Sequence, residues 1–205
     1  MKKENQMNSN KLWLPAFILM VLAQLYVPAS MIFDQEDILN TGTDFKFKAA
    51  PIDPLDPFRG KYITLRFDET TVEISDEDDW KQGETIYVFL ENDTAGFAKI
   101  KSVSKDRPAN DQSFLQAEVA YLGWSRQGNP KSLTINYPFD RFYMEESKAP
   151  DAELVYREAQ IDSAQVVYAL VSIKDGQSVL KDVLIDDVPI KEVVKQHRLE
   201  QEKPE

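Results

Sequence analysis

Residues 12–33, LWLPAFILMVLAQLYVPASMIF, run for 22 positions without a charged side chain. Coiled into an α-helix, that stretch spans about 33 Å, close to the hydrocarbon thickness of a bilayer. Eleven of its residues are Leu, Ile, Val or Phe. At about 0.3–0.6 kcal/mol each near a helix centre, they favour insertion by about 5 kcal/mol in total. Gln24, Ser30, Pro15 and Pro28 oppose this. Pro15 reads as a first-turn residue, where a missing N–H costs little, and Pro28 lies near the exit, where a kink is tolerated. Trp13 marks one interface, and Tyr26 and Phe33 approach the other.

The flanks give the orientation. Lys2, Lys3 and Lys11 precede the stretch, and Asp34, Glu36 and Asp37 follow it. The positive-inside rule keeps residues 1–11 cytoplasmic and exports the rest, as expected of a single-pass protein of the cytoplasmic (inner) membrane with its C-terminal domain outside. The competing reading is a cleaved signal peptide, with Val27-Pro28-Ala29 at the cleavage site. The anchor is preferred because apolar character resumes at Met31, Ile32 and Phe33. Beyond the stretch, 21 basic residues face 34 acidic ones, a charge of −13. Such a body is repelled by anionic headgroups and is expected to stand off the membrane.

Composition closes several routes to chemistry. The 205 residues include no Cys and a single His, His197. Disulfides, thiol nucleophiles and Cys-based zinc sites are excluded, and a Ser-His-Asp triad would depend on His197 alone. No G-x-S-x-G run occurs. The acidic balance argues against nucleic-acid binding. No cofactor and no metal site is expected. The run Ser75-Asp76-Glu77-Asp78-Asp79 begins like a calcium loop, but Trp80 and Lys81 stand where an EF-hand needs a ligand and a Gly, and Tyr87 replaces the closing Glu, so a solvated turn is favoured.

Past the apolar stretch, residues 34–42 read as a juxtamembrane helical continuation ending at Gly42. Residues 43–191 read as one β-rich domain, and 192–205 as a charged tail or frayed helix with too little apolar surface to anchor itself. Asp44–Lys48 and Lys61–Phe67 alternate with period two, the latter placing Ile63, Leu65 and Phe67 on one face. Further strands are expected at 71–74, 85–90, 97–103, 113–122, 132–137, 165–173, 179–185 and 188–190. Asp175-Gly176 signals a hairpin, and Asp186-Asp187 a second turn. A helix is expected over 150–160, with Asp151 as N-cap and Glu153 in its first turn. The fold class is mainly β, a sandwich or partly closed barrel, with one N-terminal transmembrane helix and a short helix late in the chain.

Prolines at 51, 54 and 57 repeat with the period of a polyproline II helix, which puts Asp53, Asp56 and Arg59 on one edge and Ile52, Leu55 and Phe58 on another. Gly60 then turns the chain into Lys61–Phe67. The run RGKYITLRF, with the Asp-Pro-rich loop and the apolar helix before it, resembles the GDYXXLXY family of bacterial membrane-anchored proteins. Gly60, Tyr62 and Leu65 match the motif, Lys61 stands in place of its Asp, and Phe67 in place of its final Tyr. Tyr137-Pro138-Phe139-Asp140-Arg141-Phe142-Tyr143-Met144-Glu145-Glu146 is similar to the family's second block. The resemblance brings no established activity. It implies an accessory protein encoded beside a multi-pass membrane protein, a hint at the partner.

Two functional expectations follow. The first is a membrane-anchored extracytoplasmic interaction module whose partner is an integral membrane protein, a binding rather than an enzymatic role. The second is an exported small-ligand-binding protein or enzyme, in which Asp53, Asp56, Arg59, Lys61, Tyr62, Arg141, Tyr143, Glu145 and Glu146 converge on one ligand-binding surface suited to a zwitterion, peptide terminus or sugar. Against both stands a purely structural account, in which Leu65 and Phe67 fill a core and the charges pair among themselves. Glu145, Glu146 and Glu153 offer paired carboxylates for acid–base work, but a charged loop and helix start is the preferred reading.

Overall fold

The computed structural model describes residues 10–50, 62–74, 79–109, 113–124, 130–145, 147–162 and 164–201. It opens with helix α1 (Asn10–Thr41), 32 residues that continue through the juxtamembrane segment as expected. Because the helix starts at Asn10, Pro15 is its sixth residue, deeper than the first turn. Pro28, lacking an N–H, leaves the Gln24 carbonyl without its usual partner. Side chains from Trp13 to Phe33 lie open, Trp13 and Phe33 being 74% and 69% exposed.

Burial begins at Ile38. The Gly42 N–H bonds the Ile38 carbonyl at 2.9 Å and closes the helix. The buried Ser172 hydroxyl donates to the same carbonyl at 2.7 Å, and Lys174 pairs with Asp37 and bonds Thr41. A Cβ at Gly42 would stand 2.5 Å from both the Ile38 oxygen and the Ser172 hydroxyl, so the close approach of helix to sheet requires glycine there. No linker separates helix from domain.

The strands are β1 (Thr43–Lys48), β2 (Tyr62–Thr64), β3 (Thr71–Glu73), β4 (Thr85–Asn92), β5 (Ala98–Ser104), β6 (Phe114–Trp124), β7 (Pro130–Asn136), β8 (Arg141–Tyr143), β9 (Val167–Lys174), β10 (Gln177–Ile185) and β11 (Val188–Pro189). They form a four-stranded sheet β1-β9-β10-β11, a two-stranded ribbon β2-β8 and a five-stranded sheet β3-β7-β6-β4-β5. Single bridges at Lys46–Phe97, Ala49–Phe67 and Leu115–Gly176 stitch these together into a nearly closed, barrel-like sheet. Inward residues of every layer meet in one core, from Phe47, Ile86 and Leu115 to Val171 and Val183. Each such side chain contributes about 1.5–3 kcal/mol by leaving water.

The period-two reading holds. Ile63, Leu65 and Phe67 are all buried. Phe47, Phe67, Tyr137 and Phe139 form an aromatic knot with ring centroids 4.9–5.8 Å apart, mostly edge-on, with Tyr137 and Phe139 stacked. The Tyr137 hydroxyl donates to the Glu69 carbonyl at 2.6 Å, and burial pushes its pKa well up. Both turn signals are tight hairpins with positive φ at each central residue, 53° and 86° at Asp175-Gly176 and 50° and 64° at Asp186-Asp187. The aspartates hold that geometry through their carboxylates. Asp186 accepts from the Val166 N–H, and Asp187 from the Tyr168 hydroxyl at 2.6 Å and Lys46 at 3.2 Å. Trp80 is buried with Lys105 over its ring. Residues 75–78 of the acidic run lie outside the described residues.

Three details differ from expectation. Helix α2 (Ala149–Ile161) has Lys148, not Asp151, at its N-cap, with no side-chain cap bond. Pro150 sets the first turn, so Asp151 falls inside it and Glu153 beyond it. Arg141–Tyr143 is a strand although its sequence is short and charged, because β2 supplies the pairing. The segment read as a frayed helix or tail is helical, α3 (Ile190–Gln201); it is anchored by buried Val194 and by Ile190, which was expected to end a strand. Arg198 pairs with Asp151 and the Ser147 carbonyl, which ties α3 to the start of α2.

Candidate functional site

The two sequence blocks singled out above are partners. In the β2–β8 ribbon Tyr62 faces Tyr143, Ile63 faces Phe142 and Thr64 faces Arg141, and the Leu65 N–H extends the pairing to the Asp140 carbonyl at 2.7 Å. Alternation sends Ile63, Leu65 and Phe142 inward and Tyr62, Arg141 and Tyr143 outward. The outward three form a small patch. Tyr62 and Tyr143 rings lie 5.5 Å apart, and the Arg141 guanidinium sits 5.1 Å from the Tyr62 ring. The neighbouring Tyr143, then Asp140, hold the Arg141 pKa above its usual value. Arg141 thus stays cationic at any working pH.

Glu145 follows at the mouth of α2. It pairs with Lys148, which is the chief cause of its lowered pKa. Of the nine proposed ligand-binding residues, Tyr62, Arg141 and Tyr143 are brought together and Glu145 stands two residues on. Asp53, Asp56, Arg59, Lys61 and Glu146 lie outside the described residues. Glu153 lies on α2 while Glu145 pairs with Lys148, and the His197 ring meets Gln201 at 3.4 Å. Among the described residues no three His, Asp or Glu side chains gather as metal ligands.

Tyr143 and Glu145 also form one wall of a groove of about 790 Å³. Its other wall is α3, and its lining combines Met144, Val194 and Leu199 with Lys148, Lys191, Glu192, Lys195 and Arg198. The α3 wall falls in the segment whose sequence reads as a frayed helix or charged tail, so its side chains were not among the candidate site residues. The signal was there. Ile190 and Val194 share one face four residues apart, and Lys191, Lys195 and Arg198 recur at helical spacing beside it. The groove thus sets cationic side chains beside apolar ones.

A sequence model of the family described as GDYXXLXY protein matches residues 24–183, from the middle of α1 to β10. The chain belongs to the GDYXXLXY family. Comparison with curated proteins and with solved structures gave no match. In this member the motif is the β2–β8 ribbon seen from its first strand. Tyr62 is its outward face, and Leu65 and Phe67 are core residues held against the second block. The matched region ends at Val183, before α3, so the cationic wall of the groove lies beyond it.

Proposed function

We propose that this GDYXXLXY protein is a single-pass accessory protein of the cytoplasmic membrane, anchored by residues 12–33 with its N-terminus inside, and that its exported β-rich domain serves an integral membrane partner. The supporting observation is the uncovered α1. From Trp13 to Phe33 its apolar side chains meet nothing in the domain, a surface whose natural solvent is lipid. Gln24 lies at mid-depth and presents both a side-chain amide and a backbone carbonyl that Pro28 leaves unbonded. Polar groups at that depth are costly against hydrocarbon and are satisfied by a neighbouring helix. That is the reason to expect a partner inside the membrane. The eight residues 34–41 carry the helix about 12 Å further, clear of the hydrocarbon, before the sheet begins.

Topology is testable with little ambiguity because the chain has no Cys. Single substitutions Ser9→Cys and Glu91→Cys should differ, with an impermeant maleimide labelling position 91 and not position 9 in intact cells whose outer barrier is opened. The partner is tested by a photo-reactive residue at position 24 in native membranes. A discrete adduct with an integral membrane protein is expected. Recovery of the chain in a detergent-free soluble fraction, a mature N-terminus at Ser30, or no adduct would overturn the reading.

A further inference from the structure

We propose that the groove between β8 and α3 binds an acidic, extended peptide segment, its carboxylates facing Lys191 and Lys195. The source of that segment, the membrane partner, rests on the function proposed above; the binding chemistry does not. In a chain of net charge −11, the groove inverts the sign, with four cations (Lys148, Lys191, Lys195 and Arg198) against two carboxylates (Glu145 and Glu192).

The cations are not equally engaged. Lys148 is held by Glu145, and Arg198 by Asp151 and the Ser147 carbonyl. Lys195 reaches Glu192 only at 3.9 Å, with both side chains more than half exposed. Lys191 lies 5.8 Å from the Phe142 ring and has no carboxylate within ion-pair distance among the described residues. Two cations therefore remain open to an external anion.

Their spacing selects the ligand's shape. Lys191 and Lys195 are one helical turn apart, about 6 Å along α3. They form a line, not the convergent cradle that a single phosphate needs. Alternate side chains on an extended strand repeat at about 6.6 Å and match that line. In the same groove Val194, Leu199 and Met144 supply apolar lining for the ligand's own apolar side chains.

Position argues against lipid headgroups. The anchor joins the sheet at Thr43, opposite Ile173, while Lys48 at the far end of β1 lies opposite Tyr168. Helix α3 starts from β11, which pairs with Leu184–Ile185 at that same far end. Five strand steps, about 17 Å, separate the two ends. The start of the groove thus faces away from the helix junction.

The test uses the full-length chain in a non-ionic detergent and a fluorescent, end-blocked hexapeptide alternating Glu and Leu. Anisotropy should show saturable binding about tenfold tighter than for the matching Gln-Leu peptide, weakening as salt rises. Lys191→Glu with Lys195→Glu should lose at least about tenfold, while Lys191→Arg with Lys195→Arg stays within about threefold. Both pairs are solvent-facing, and an unchanged melting curve confirms the fold. No saturable binding, equal binding of the Gln peptide, indifference to charge reversal, or displacement by glycerol phosphate at matched concentration would overturn the proposal. Failure to find a membrane partner through position 24 leaves these readouts intact, so the two ideas fail separately.

Discussion

Ser172 donates its hydroxyl proton to the Ile38 carbonyl across 2.7 Å and 134 positions of sequence. This bond joins the helix end to the central strand of the four-stranded sheet, and Gly42 beside it leaves no room for a side chain. Ser172→Ala should cost about 1 kcal/mol, since the Gly42 N–H still satisfies the carbonyl. Gly42→Ala should cost more, about 2–3 kcal/mol, because the new methyl meets backbone as well as a hydroxyl. Thermal unfolding in detergent checks both, at about 2–4 °C per kcal/mol.

Two glycines with left-handed backbone should respond differently to alanine. Gly83, at φ 80°, has open space around its missing Cβ. Gly176, at φ 86°, would drive a Cβ to 2.6 Å from the Phe114 ring. Gly83→Ala should cost about 1 kcal/mol from backbone strain alone. Gly176→Ala should cost at least about 2 kcal/mol, strain and clash together, and should speed amide exchange in the β9–β10 hairpin.

The aromatic knot predicts a graded pair. Phe47, 1% exposed, touches Phe67, Tyr137 and Phe139, so Phe47→Ala should cost about 3–5 kcal/mol and leave a cavity. Tyr137→Phe keeps the ring and removes only the bond to Glu69, and should cost about 1 kcal/mol. Denaturant titration of the two variants against the parent orders them.

Asp187 sets a pH dependence. Its carboxyl is held below its usual range first by the Tyr168 hydroxyl and then by Lys46. A depressed folded-state pKa means that its stabilising effect is complete above the unfolded carboxylate value, about 3.9, and fades as pH falls through the lower folded value. Asp187→Asn keeps a residue suited to φ 64° but removes the charge. It should lower stability at neutral pH and flatten its loss below about pH 4. Melting curves from pH 2 to 8 read this directly, and an unchanged acid limb would contradict it.

Much of this architecture was legible because it is written locally. Ile63, Leu65 and Phe67 alternate with Tyr62, Thr64 and Arg66, and Asp-Gly and Asp-Asp pairs name their own turns. What stayed hidden depends on partners remote in sequence. Arg141–Tyr143 is a strand because Tyr62–Thr64 lies opposite, and α3 is held because α2 lies beside it and offers Asp151 to Arg198. Asp151 looked like a helix cap, yet its carboxylate serves Arg198, 47 positions away. For the candidate site, the likeness of two blocks placed Tyr62, Arg141 and Tyr143 together. Lys195 and Arg198 lie in the segment read as a frayed helix or tail, and the tie that holds it, Arg198 to Asp151, is remote in sequence.

The junction at Gly42 also decides how the domain is aimed. With helix and sheet bonded directly, a lean of α1 is not absorbed by a hinge, and about 5° at its root becomes about 1.5 Å of travel at the start of the groove, about 17 Å away. On the proposed topology, bilayer thickness and neighbouring helices, which set that lean, would steer where the protein points its far end.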